Sequence, residues 1–208
     1  MKRGRTARLL LSFLLVLILL AGLAPAPAEA YWVWDCFWDF FGEEEPPAEP
    51  LTIEQREENV RYVMQYLREE LELPDSAVAA VMANIYRESA FDPRAVDASR
   101  GFCGLCQWSR TRWANCFLFC WENGLDRLSV EGQMAFLKHE LKGEYRWIYD
   151  SYLLPAEDSE DGAQEAQYYF CLYFEAPLDV DWEQVVRSKL VAYAYWPLVS
   201  EGQPLDWS

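Results

Sequence analysis

Val78-Ala79-Ala80-Val81-Met82-Ala83-Asn84-Ile85-Tyr86-Arg87-Glu88 is an apolar, helical-looking run that ends on a carboxyl, and Ser89-Ala90-Phe91-Asp92-Pro93 follows it. Val81, Ile85 and Glu88 are spaced i, i+4, i+7, so a helix here puts the Glu88 carboxyl on or beside its buried stripe. Burial disfavours the charged form and raises the pKa of such a group. A general acid for glycosidic cleavage needs that property, because it must still hold a proton near neutral pH to give to a leaving sugar oxygen.

Working outward, the chain stays helical in pattern. Val60, Met64, Leu67 and Leu71 form a stripe at i, i+4, i+7, i+11, and Pro74-Asp75-Ser76 stops that helix and caps the next. The Glu88 helix carries Val78, Val81, Met82 and Ile85, and Asp92-Pro93 ends it, since the residue before proline is pushed away from helical geometry. Ser99 to Gly104 reads as a loop. Ser109 to Glu122 reads as a helix closed by Asn123-Gly124, and Ser129 to Leu141 as another. Helical patterns resume over Ala163 to Phe174 and Trp182 to Tyr195, and no period-2 strand stands out beyond the loop after Glu88. The expected fold is mainly α, one helical domain over residues 51–197 with an irregular loop after Glu88 and a tail over 198–208.

Residues 1–30 read as a signal peptide: Lys2, Arg3, Arg5 and Arg8, then apolar Leu9 to Leu20, then small residues ending Ala28-Glu29-Ala30. The alternative is an uncut N-terminal membrane anchor, because Leu9 to Ala24 approaches spanning length. Either way the rest of the chain is expected outside the cytoplasm, secreted or associated with the cell wall. Residues 31–50 follow as an aromatic segment, Tyr31 to Phe41, and an acidic, proline-rich linker, Glu43 to Pro50. The aromatic stretch either packs on the domain, tied to it through Cys36, or forms a patch facing a partner or membrane. Net charge is −16, becoming −19 once the four basic residues and one acidic residue of 1–30 are removed. That argues against nucleic acid as a partner and leaves a neutral sugar backbone open.

Cys36, Cys103, Cys106, Cys116, Cys120 and Cys171 are six cysteines in a chain read as exported, which points to disulfide bonds. The spacing from Cys103 to Cys120 also resembles a four-thiolate zinc site, but the oxidising setting favours disulfides, and no metal or cofactor is expected. His139 stands alone, so a His-rich metal site is excluded. A Cys/His hydrolase would need a thiol that disulfide formation removes.

Asn84-Ile85-Tyr86-Arg87-Glu88-Ser89-Ala90-Phe91-Asp92-Pro93, then Gly101-Phe102-Cys103-Gly104-Leu105-Cys106-Gln107-Trp108 with Arg110 and Arg112, resembles the phage tail lysozyme family of the lysozyme-like superfamily. The resemblance runs from about Asn59 to Tyr195, with Phe174-Glu175-Ala176-Pro177 and Arg187 as weaker matches. It implies a lysozyme-like helical domain acting on peptidoglycan glycan strands, with Glu88 as the catalytic acid. The Glu-Ser and Gly-Leu-x-Gln pair is also similar to goose-type lysozymes and lytic transglycosylases, which places Gln107 along the sugar cleft.

The residues fit such a cleft chemically. An amide such as Gln107 can hold a substrate amide or a water, and Trp108 and Trp113 offer flat apolar faces to pyranose rings unless they belong to the core. Ser89 is either a substrate ligand or a helix-end hydrogen bonder. Arg110 and Arg112 could meet the lactyl or peptide carboxylates of peptidoglycan, though charges on the first turns of a helix need no such purpose. Hydrolysis by two carboxylates requires a partner about 5–9 Å from the acid. Asp92, Asp97 and Asp126 are candidates, and Asp97, between the two motifs, is preferred. The expected activity is cleavage between N-acetylmuramic acid and N-acetylglucosamine by a monomer. The alternatives are a lytic transglycosylase using the same glutamate and an inactive glycan-binding module on the same scaffold.

Overall fold

Thr52 opens the first helix with a reciprocal cap: Gln55 N donates to its hydroxyl at 3.2 Å, and Thr52 N donates to Gln55 Oε1 at 3.0 Å. The computed structural model describes residues 49–175 and 182–202, backbone only over 182–190. The signal or anchor segment, the aromatic stretch with Cys36, Ala176-Pro177 and the Arg187 side chain lie outside the described residues. The first helix, α1, spans Ile53–Glu69. Val60, Val63 and Leu67 face inward, and Leu71 is buried just beyond the helix end, with Met64 at the margin. The stripe is as expected apart from Val63, which takes the inward place at i+3.

The Glu88 helix, α2, spans Asp75–Ser89 and starts directly after Pro74. Asp75 sits at its positive end and pairs with Arg68 at 2.8 Å. Every residue from Ser76 to Ile85 is buried. The expected one-sided stripe is in fact a fully enclosed helix, because Ala77, Ala79, Ala80 and Ala83 let neighbouring helices close on the remaining faces. The chain leaves α2 through Ala90 and Phe91, both left-handed at φ 49° and 62°. That conformation is unusual for side chains larger than glycine. It is fixed by Asn59 Nδ2, which donates to Phe91 O at 2.8 Å, and by burial of the Phe91 ring against Tyr86 and Tyr195.

A small antiparallel hairpin follows, β1 (Val96–Asp97) with β2 (Phe102–Cys103), where a loop was expected from Ser99 to Gly104. Next come α3 (Arg110–Asn123), closed by left-handed Gly124, and α4 (Val130–Lys142), capped by the Ser129 hydroxyl accepting from Gly132 N at 3.0 Å. A short turn, α5 (Arg146–Ile148), runs into a π-helical turn at Tyr149–Leu153. Helix α6 (Glu160–Phe170) also runs on into a π-helical turn, Cys171–Glu175. The last helix, α7, spans Trp182–Glu201 and so enters the stretch expected as a tail. Val199 is buried there, and its carbonyl accepts from Arg68 Nη2.

Helices α1, α6 and α7 surround α2, and α3 packs with α4 beside the hairpin. Pro50–Ser208 form one compact unit. The fold is mainly α, and among the described residues no helix is long and apolar enough to cross a membrane.

Candidate active site

Glu88 lies in the last turn of α2, half-buried, where the enclosed helix reaches the hairpin. Burial raises its pKa, while the charges of Arg87 and Arg100 pull the other way. Among the described residues no hydrogen bond adds to the balance. The result is a carboxyl whose charged form is held only by screened Coulomb attraction, which favours retention of the proton.

Ser89 ties this helix end to the following loop. Its hydroxyl lies 3.0 Å from both Ile85 O and Leu105 O. Of the two readings open for Ser89, the geometry carries the helix-end bond. The loop itself needs Gly104, at φ 78°, because a Cβ there would stand 2.7 Å from Gln133 Oε1 and 2.9 Å from Trp113. Gln107 is left-handed at φ 45° and half-buried. Its Nε2 donates to Ala95 O at 3.2 Å and Gly104 O at 3.0 Å, which leaves Oε1 as the end of the amide able to accept from a ligand.

Trp108 corrects an expectation. It is fully buried, its ring packs against Trp113 and Phe136, and its Nε1 donates to Glu140 Oε2 at 2.8 Å. An indole enclosed on both faces and bonded inward offers no plate to a sugar. Trp113, 5% exposed, is likewise core. Arg112 is also committed inward: Nε and Nη2 grip Glu140 at 2.8 and 2.9 Å, and Nη1 donates to Phe174 O at 3.0 Å. Its guanidinium is a structural clamp rather than a free site for a substrate carboxylate.

Asp97 stands at the hairpin. Its Oδ1 accepts from the Ser99 hydroxyl at 2.6 Å, Ser99 N at 2.9 Å and Arg100 N at 3.3 Å, and Oδ2 is 3.9 Å from Arg100 Nε. The Ser99 hydroxyl above all holds its pKa below the ordinary carboxylate value. The two preferred carboxyls are thus pushed in opposite directions, with Arg100 acting on both. Asp92 Oδ1 accepts from Arg94 N, and Asp126 Oδ1 from Leu128 N, both as turn formers.

Two further residues escaped the sequence reading. Gln133, fully buried on α4, accepts from Leu105 N at 2.8 Å and donates to Pro93 O at 2.6 Å and Arg127 O at 2.7 Å, fastening the loop and the turn after Glu88 together. A lone amide amid the apolar residues of that helix was the available signal. Glu175 ends the π-helical turn, and among the described residues its Oε1 is buried without a hydrogen-bond partner. The residue as a whole is only partly enclosed, but the carboxyl end points inward. Burial first, and then Glu88, push its pKa well up.

The disulfide expectation is not met among the described residues, where Cys103, Cys106, Cys116, Cys120 and Cys171 are all buried free thiols. Cys116 and Cys120 are successive-turn neighbours on α3, and helix geometry keeps their Cβ atoms about 5–6 Å apart, too far for a bridge. A hydrogen bond between those two thiols raises the pKa of Cys116 and lowers that of Cys120. Burial pushes Cys103 and Cys171 up to about 11. Burial of Cys103 and Cys171 disfavours a reactive thiolate at either, and Cys120 Sγ lies 3.6 Å from Gly132 O as a donor. Among the described residues no group of three or more His, Cys, Asp or Glu is placed to hold a metal ion.

No curated protein matches the chain. A family model described as phage tail lysozyme matches residues 58–195, which include α2 with Glu88, the hairpin, the Gly104 to Trp108 loop and Glu175. The match spans well over half of the chain, and the family carries lysozyme-like, peptidoglycan-degrading activity. This chain belongs to the phage tail lysozyme family.

Proposed function

We propose that this protein cleaves the glycan strand of peptidoglycan between N-acetylmuramic acid and N-acetylglucosamine, with Glu88 as general acid. The observation that carries the reading is the state of that carboxyl. It ends an enclosed helix, burial outweighs the attraction of two arginines, and among the described residues no hydrogen bond fixes its charge. In turnover the Glu88 proton passes to the bridging oxygen as the glycosidic bond breaks. Asp97, kept ionised by the hairpin, is assigned as the carboxylate that activates water, and Oδ2 is the oxygen less engaged in the turn. Gln107 Oε1 is assigned to accept from a substrate amide. We place this reaction outside the cytoplasm, with residues 1–30 as the export segment.

One observation favours a second reading. Both Asp97 oxygens have partners in the hairpin, so the residue has a structural reason to be there. A lytic transglycosylase needs the glutamate alone and closes the muramyl residue to an anhydro sugar. Glu88→Gln should lower turnover of purified peptidoglycan by about 10²–10⁴-fold under either reading, the range typical of a lost general acid. Unchanged turnover would remove Glu88 from the role, and binding without any wild-type turnover would favour a glycan-binding module. Asp97→Asn and product mass then separate the enzymes. Hydrolysis predicts a hydrated product and strong dependence on Asp97, whereas transglycosylation predicts an anhydromuramyl end and little dependence.

A further inference from the structure

Helices α2 and α6 meet at Asn84 and Gln167, whose side chains lie 3.3 Å apart from Nε2 to Oδ1. One turn beyond Asn84 on α2 stands Glu88, and beyond Gln167 the chain continues through Cys171 to Glu175. Ser76 N, at the start of α2, donates to Asp158 Oδ1 just ahead of α6 at 3.3 Å, so the two helices run side by side in the same direction and both glutamates follow beyond the Asn84–Gln167 contact. The thiols of Cys106 and Cys171 both feel the charges of Glu88 and Glu175. Arg112 fixes the end of the π-helical turn by donating to Phe174 O, yet its other donors are taken by Glu140. Glu175 Oε1 is left buried with no hydrogen-bond partner among the described residues.

We propose that Glu175 is a positioning residue for Glu88: a neutral carboxylic acid whose O–H donates to the carboxylate that Glu88 becomes on giving up its proton. This rests on Glu88 being the acid. The chemistry balances simply. Glu88 loses its proton to the glycosidic oxygen and is reprotonated from solvent where Asp97 takes the proton of the attacking water, or by the attacking muramyl hydroxyl in transglycosylation, while Glu175 keeps its own proton throughout and supplies only a hydrogen bond. A half-buried new anion needs such a donor, since an unpaired charge there is costly. The charged and titratable groups that face Glu175 are consistent with one retained proton. Glu88 on α2 and Glu140 on α4 oppose a further negative charge. Arg87 and Arg112 favour one, Arg112 already being paired with Glu140. Cys106, Cys171 and Tyr145 complete the surroundings as neutral groups whose pKa values are raised.

The test compares Glu175→Gln, which keeps a neutral donor, with Glu175→Leu, which keeps the bulk and removes it. Expected are near-normal kcat and an unmoved alkaline limb of the pH–rate profile for Gln. For Leu, kcat should drop on the order of ten- to a hundredfold, the scale of a hydrogen bond to a charged group, with KM little changed. The Leu limb should also move to higher pH, because Glu88 loses stabilisation of its anion. A limb moving to lower pH in both variants would mean that Glu175 normally carries negative charge, and wild-type behaviour of Leu would mean that it does nothing for Glu88. Either result overturns the proposal. A readout independent of variant folding is the ¹³C carboxyl shift of Glu175 in the wild-type protein. It should stay at its protonated value at pH 7, and a carboxylate shift there would overturn the proposal as well. Loss of turnover in Glu88→Gln beside an unaffected Glu175→Leu would sink this inference alone, whereas active Glu88→Gln would sink the assignment of the acid.

Discussion

Glu140 and Glu175 are both acidic side chains turned into the protein, and they are treated in opposite ways. Glu140 is gripped by Arg112 through two bonds and receives Trp108 Nε1 as a third. Among the described residues Glu175 Oε1 receives nothing, and Glu88, whose charge acts on it, is held by no hydrogen bond. The contrast teaches where this fold uses charge for architecture and where it leaves charge for chemistry. A bidentate, fully satisfied pair fixes helices α3 and α4 to each other, but it has no proton to give. An unsatisfied carboxyl adds little to stability, and for that reason it keeps its proton.

Breaking the paired side should have the larger effect on folding. Glu140→Leu strands the Arg112 charge and the Trp108 N–H in the core, so unfolding free energy should fall by about 3–5 kcal/mol, read by denaturant titration. A loss under ~1 kcal/mol would mean that the clamp is not structural. Gln133→Ala comes next. It orphans Leu105 N–H together with the Pro93 and Arg127 carbonyls, for about 2–3 kcal/mol in the same titration, and turnover should fall as the Gly104 to Trp108 loop loosens.

The unpaired side gives the smallest effect, and it depends on pH. Folding raises the Glu175 pKa above the ordinary glutamate value of 4.5, so the stabilisation from its bound proton is complete below that pH and is lost as pH rises toward the folded value. Glu175→Gln cannot lose a proton there. The variant should match wild type near pH 4 and be the more stable of the two at higher pH, the gap widening as pH rises toward the folded value. Parallel stability curves would show that the carboxyl is solvated, and the contrast with Glu140 would then dissolve.

The helices were legible in the sequence because each has a local cause. Ser129 and Gly124 cap helix ends where their residue types predict, and the Val60 to Leu71 stripe needs only a 3.6-residue period. The position of Glu88 at the end of an apolar run was equally local. What escaped depends on partners far away in the chain. Trp108 looked like a sugar platform because nothing nearby reveals Glu140, 32 residues later, as the acceptor of its indole N–H. Glu175 lay in a recognisable Phe-Glu-Ala-Pro stretch, but its place beside Glu88 arises only when α6 packs on α2. The cysteines misled in the same way. An even count suggests bridges, yet the spacing of Cys116 and Cys120 on one helix face forbids a bridge between those two.

The enclosure of α2 has a kinetic side. Backbone amides in an element covered on every face exchange with solvent only when most of the molecule opens, whereas peripheral hairpins such as Val96 to Cys103 can open by themselves. Glu88 thus follows directly on the stretch, Ser76 to Ile85, expected to exchange slowest, whereas Asp97 lies in the hairpin. On warming, the hairpin carboxylate should lose its orientation well before Glu88 does, and catalysis should fade ahead of the global melt.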